Sequence, residues 1–131
     1  MANATVQFTL NGGNYEGDWM RFEPGSTLQG AVQIVPQDDI RCNHVYVRLQ
    51  WHTEGRGTRN EGRAGEIDIA QGTLTANTPL TQSFHFNLPR EPWSYAGHYV
   101  NIVWEVLVSF DVPLSPDMHF SQPFILAPGR Q

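Results

Sequence analysis

No lysine occurs in these 131 residues, so all eight basic side chains are arginines, set against thirteen acidic ones for a net charge of −5. A chain this acidic, without a basic run, cannot neutralise a row of phosphates, which supplies most non-specific affinity for nucleic acid. The same balance argues against anionic membrane surfaces, which recruit clustered Lys and Arg. Cysteine is nearly absent too. Cys42 stands alone, so no internal disulfide forms and nothing ties the chain to an oxidising compartment. It opens an apolar segment and is expected as a buried, inert thiol. No apolar run approaches the ~20 residues that span a bilayer. Met1–Asn11 also lacks the basic-then-apolar pattern of a secretory signal. These absences lead to the expectation of a cytoplasmic chain with no membrane insertion and no nucleic-acid partner.

Helical periodicity is missing as well, since no segment holds a 3.6-residue apolar repeat between caps. What is present is alternation. Val6, Phe8 and Leu10 alternate with Thr5, Gln7 and Thr9 until Asn11-Gly12-Gly13-Asn14 turns the chain. Tyr15 to Phe22 reads as a short edge strand, with Trp19 and Phe22 seeking cover. Leu28, Gly30, Val32 and Ile34 follow, ended by Pro36, and Gly30 in mid-strand predicts a bulge or a close backbone approach. Val45, Val47, Leu49 and Trp51 then take one face, with His44, Tyr46, Arg48, Gln50 and His52 on the other.

From Gly55 to Gly65 the composition shifts to Gly, Arg and Glu, which predicts a flexible polar loop over about 55–65. Ile67, Ile69 and Leu74 carry the next strand. Phe84 to Leu88 ends at Pro89, Pro92-Trp93-Ser94-Tyr95-Ala96-Gly97 makes a corner, and a long apolar run begins at His98. Val100, Ile102, Trp104, Val106, Val108 and Phe110 fall on one face of that run. Pro113 to Pro116 connects to a last strand over Met118–Leu126, expected at an edge because Pro123 interrupts it. Seven or eight antiparallel strands with little or no helix predict an all-β, two-sheet immunoglobulin-like sandwich, a single domain over 1–131.

Chemistry-bearing residues are sparse. The five histidines are scattered, and His44 and His52 share a strand face about eight residues apart, too distant at ~3.3 Å each to chelate one ion. His44, His52 and His85 are expected as solvated surface residues. A blue-copper site needs two His, a Cys and an axial Met at one end of a sandwich, but Cys42 lies far before Met118. Asp38, Asp39, Asp111 and Asp117 sit near turns without a calcium-type oxygen loop. Ser94, Ser109 and Ser121 lack a nucleophile setting, so the expectation is no enzyme, no metal and no cofactor. Glu105, in mid-strand between apolar neighbours, is expected to pair across strands with Arg48, worth about 0.2–1 kcal/mol.

With the strands placed, a family resemblance can be stated. Leu28-Gln29-Gly30-Ala31-Val32 resembles the early "polar-x-Leu-x-Gly-x-Val" strand of arrestin-like domains. Phe84-His85-Phe86-Asn87-Leu88-Pro89, then Pro92, Ser94-Tyr95 and Gly97, resembles their "F-x-F-x-L-P … P-S-Y-x-G" corner. The run through Ile102, Trp104, Val106 and Val108 to Asp111 and Pro113 resembles the strand after it. The resemblance implies a non-catalytic scaffold that binds protein segments, and no family binding residue is carried over. Such proteins usually hold two lobes where this chain has one, which implies self-association into a homo-oligomer.

Edge-strand pairing or a sheet face would hold the protein partner, with Thr5–Leu10 and Met118–Leu126 the expected edges. The candidate binding surface comprises Trp19, Tyr46, Arg48, Trp93 and Tyr95, with Arg56, Arg59 and Arg63 of the polar segment. Two further readings stand beside it. One is a carbohydrate- or small-ligand-binding module stacking its ligand on Trp19, Tyr46 or Trp93; the other is a structural subunit of a larger particle. Glu54, Glu61 and Glu66 cancel the charges of Arg56, Arg59 and Arg63, so the RNA-contacting reading of that segment is set aside.

Overall fold

The computed structural model describes residues 4–57, 59–97, 99–114 and 118–128. Its strands are β1 (Ala4–Asn11), β2 (Asn14–Glu16), β3 (Trp19–Phe22), β4 (Thr27–Pro36), β5 (Ile40–Gly55), β6 (Glu61–Leu74), β7 (Leu80–Asn87), β8 (Tyr95–Ala96), β9 (Val100–Asp111) and β10 (Met118–Leu126). One sheet has the order β1-β4-β7. The other runs β2-β3-β10-β9-β5-β6, with β8 added beside β9. Pairing is antiparallel except where Ile125 and Leu126 of β10 run parallel to Arg21 and Phe22 of β3. No helix among the described residues is long and apolar enough to cross a membrane. His98 and Asp117, weighed above as ligands, lie outside the described residues.

The period-two pattern does what it predicts. Leu28, Val32 and Ile34 of β4 point inward against Val45, Val47 and Leu49 of β5 and Trp104, Val106, Val108 and Phe110 of β9, all without solvent exposure. Each such side chain stabilises the sandwich by about 1.5–3 kcal/mol relative to exposure. Phe22 meets Phe124 edge-on, with ring centroids 5.5 Å apart, and ties β3 to β10. Cys42 is buried, and that burial raises its thiol pKa, which keeps it protonated and unreactive. Gly30 is a close approach: a Cβ there would stand 2.9 Å from the Phe84 ring.

The polar segment expected as a loop over 55–65 is a hairpin instead. Only residues 56–60 lie between β5 and β6, and Gly62, Arg63 and Gly65 pair with Trp51, Gln50 and Leu49. Its glycines mark places where aromatic rings cover a backbone. A Cβ on Gly62 would come 2.5 Å from the Trp51 indole, and one on Gly65 would come 2.7 Å from the Phe86 ring of β7. The second contact bridges the two sheets. The Met118–Leu126 strand is likewise not a simple edge, because β9 flanks it over Met118–Phe124 and β3 joins it at Ile125–Leu126.

Candidate functional site

The outward face of the larger sheet divides into an aromatic corner and an ion-paired belt. The corner begins with the buried Trp104, whose indole Nε1 donates to the Pro92 carbonyl at 2.7 Å. Ser94 then stitches the corner to β10: its N–H donates to the Leu126 carbonyl at 2.7 Å, and its Oγ accepts from the Leu126 N–H at 2.9 Å. Gly97 closes the corner, its N–H donating to the Val100 carbonyl at 3.0 Å and to Asn101 Oδ1 at 3.1 Å. Proline, serine and glycine in this order therefore dock an irregular segment on regular strands without orphaning these groups.

Fixed in that way, the corner forms one wall of a cleft of about 330 Å³ with Tyr95 and Ala96 on it. Trp19, Ile125, Ile102, Val103 and the Glu54 side of β5 complete the lining. Trp19 is 38% exposed and Tyr95 58%, so both present large apolar area beside the cleft. Trp93, 52% exposed, is held by a bond from its Nε1 to the Arg90 carbonyl at 2.8 Å. Trp19, Trp93 and Tyr95 thus belong to one end of the sandwich, though Trp93 is not part of the cleft lining. Arg56 also reaches this end, its guanidinium 5.6 Å from the centroid of the exposed Tyr99 ring.

Ile125, Val103 and Tyr99 were not among the expected site residues. Ile102-Val103-Trp104 and Phe124-Ile125-Leu126 each place three apolar residues in a row within period-two strands. One residue of each triplet must face outward. That break in alternation is the signal from which the cleft floor was legible.

The belt is different chemistry. Arg48 Nε donates to Glu66 Oε2 at 2.7 Å, and Arg63 reaches the same oxygen at 2.9 Å. Arg48 also sits over the Tyr46 ring, 4.7 Å from its centroid, and that ring stacks on His44 at 5.2 Å. His44 Nδ1 lies 2.7 Å from Asp68 Oδ2. The Gln71 amide, with His44 beside it, holds the Asp68 carboxyl below the ordinary carboxylate range. Arg59 pairs loosely with Glu61 at 3.8 Å. Tyr46, Arg48, Arg59 and Arg63 are therefore engaged with one another's neighbours and stand apart from the aromatic cleft.

Two expectations need correction here. His52 is not a solvated surface residue: it is 7% exposed, with Nε2 at 2.8 Å from Glu54 and Nδ1 at 3.3 Å from Glu105. Its position is on the outward face, but two long carboxylates close over it. The Nδ1 contact does not make a hydrogen bond and leaves that buried nitrogen unbonded. Glu105 does not meet Arg48, because β5 and β9 set Arg48 opposite Leu107 and Glu105 opposite Gln50. Gln50 Nε2 donates to Glu105 Oε1 at 3.0 Å. The unbroken β5–β9 register, which composition does not reveal, sets Gln50 rather than Arg48 against Glu105, two residues along β5.

Among the described residues no group of three or more His, Cys, Asp or Glu is arranged to hold a metal ion. No known family model and no curated protein sequence matches the chain. A solved structure does: Spo0M, a sporulation control protein from Bacillus subtilis, superposes with a TM-score of 0.67 at 16% identity, over 96% of this chain. The chain spans half the length of that Spo0M chain, and the likeness supports an arrestin-like β-sandwich as its fold.

Proposed function

We propose that this sandwich is a non-catalytic protein-binding module that holds a partner segment through an apolar side chain seated between Trp19 and Tyr95. The observation that carries the reading is the contrast in satisfaction across one sheet face. Belt cations are already paired with belt carboxylates, so exchanging them for a partner's charges gains little. The corner leaves apolar area in water, and covering it gains about 25 cal/mol per Å² before ordering costs. A structural neighbour whose name denotes a control role supports binding over catalysis.

Stacked aromatics also serve sugars, but a sugar needs convergent polar groups beside the ring. Here the Ser94 Oγ and Asn101 Oδ1 already accept backbone N–H groups, which favours an apolar anchor. Selection from a random peptide library, run beside a glycan array, tests the reading. Peptides sharing a large apolar residue should emerge, and Trp19→Ala should weaken them by roughly tenfold or more, as for an interface anchor. Glycan binding lost on Trp19→Ala, with no peptide selected, would overturn it.

A further inference from the structure

The two sheets differ in a property their shared core does not demand. No Asp, Glu, Lys or Arg stands on β1, β4 or β7. The opposite sheet carries nine on β5, β6 and β9 alone, three arginines (41, 48 and 63) and six carboxylates (54, 61, 66, 68, 105 and 111). In a chain of net charge −5, the smaller sheet presents Thr, Gln, Ser and Asn outward, with His85 its one exposed ionisable side chain among the described residues. The net negative charge of the chain opposes association of two copies, and this face adds no carboxylate to that opposition.

The edges differ in the same sense. Folded proteins blunt exposed edges with charge, proline, bulges or brevity. β2 has three residues, and β6 carries Glu61, Arg63, Glu66 and Asp68 with register shifts against β5. β7 leans Phe86 onto Gly65 of β6. β1 has none of these protections: eight uncharged residues pair with β4 in unbroken register, and no strand lies on its far side among the described residues. Val6 and Phe8 remain only half-buried at this margin of the core.

We propose that β1 is the edge through which two copies of this chain pair antiparallel, joining two three-stranded sheets into one of six. Opposed residues in an antiparallel pair share a face, so keeping apolar side chains on the core side requires the two-fold to pass through a residue. Axes at Gln7 and at Phe8 overlap β1 equally; the axis at Gln7 avoids setting two Phe8 rings against each other, and it opposes Gln7 to its twin, Val6 to Phe8 and Thr5 to Thr9. The symmetric amide pair then sits on the outward face, and the Val6–Phe8 pairs close the core margin of both copies.

The test uses the full chain. Light scattering should show twice the 14.8 kDa chain mass, with a dissociation constant that salt leaves nearly unchanged. Under mild oxidation Gln7→Cys should crosslink two chains, because opposed Cα atoms at about 4.5–5.5 Å lie within disulfide reach. Thr5→Cys should not, since its twin would lie about 14 Å away in this register. Thr9→Lys, at an exposed position, should weaken the dimer by roughly tenfold or more, and Thr81→Lys on the opposite edge should leave it intact. A monomer at all concentrations, crosslinking at Thr5→Cys but not Gln7→Cys, or equal effects of the two lysines would overturn the proposal.

Discussion

The aromatic corner and the ion-paired belt occupy the same face of the same sheet and share Glu54, yet their side chains do opposite things with their bonding capacity. In the belt, Arg48, Arg63 and Glu66 answer one another, and Gln50 answers Glu105. In the corner, the polar groups of Pro92, Ser94 and Gly97 are consumed by Trp104, Leu126 and Val100, leaving Trp19, Tyr95 and Ile125 toward the cleft. A face can thus be polar and inert at one end, and apolar and receptive at the other. Charge density alone is a poor guide to where such a sheet binds, because paired charges have already lost much of what they offer a partner.

Substitutions sharpen that comparison, beginning beneath the corner. Trp104→Ala removes a fully buried ring and the donor to Pro92, so a loss of about 3–5 kcal/mol is expected in denaturant unfolding. A near-neutral result would show that the corner is not built on that ring. Next comes the buried end of the belt. Glu105→Ala leaves the Gln50 amide without its acceptor and His52 with Glu54 alone, and a loss of about 1–3 kcal/mol is expected. If Glu105→Ala unfolds no more easily than wild type, the belt is not a satisfied network, and its charges are available to partners after all.

The smallest effect is the acid limb at Asp68. Its folded pKa lies below the ordinary 3.8, so the unfolded chain binds more protons between those two values. The associated stability is present above about pH 3.8 and is lost as pH falls through the folded pKa. Asp68→Asn should therefore flatten the pH dependence of unfolding only in that acid window. A flattening outside that window would contradict the assignment to Asp68.

Much of this architecture was legible because burial in a sandwich imposes a period of two. The inward sets on β4, β5 and β9 follow directly from Leu28, Val47 and Trp104 and their alternating neighbours. Glycine misled where its role was tertiary: Gly62 and Gly65 read as a loop but are strand positions roofed by Trp51 and Phe86. Composition carries no information about a ring arriving from another strand, as Trp51 of β5 and Phe86 of β7 do. His52 misled for a related reason, since outward parity does not reveal that Glu54 and Glu105 fold over the imidazole. For the corner, Trp19, Trp93 and Tyr95 were visible as large aromatics near turns, whereas their common end of the sandwich required the parallel β3–β10 pair. No local pattern announces two paired residues.

The most direct test of the division between corner and belt is calorimetric titration of one library-selected peptide against Trp19→Ala and Arg48→Ala in parallel. The account predicts a loss of roughly tenfold or more in affinity for Trp19→Ala and less than about threefold for Arg48→Ala. The reverse order would place recognition on the ion-paired belt and contradict the account.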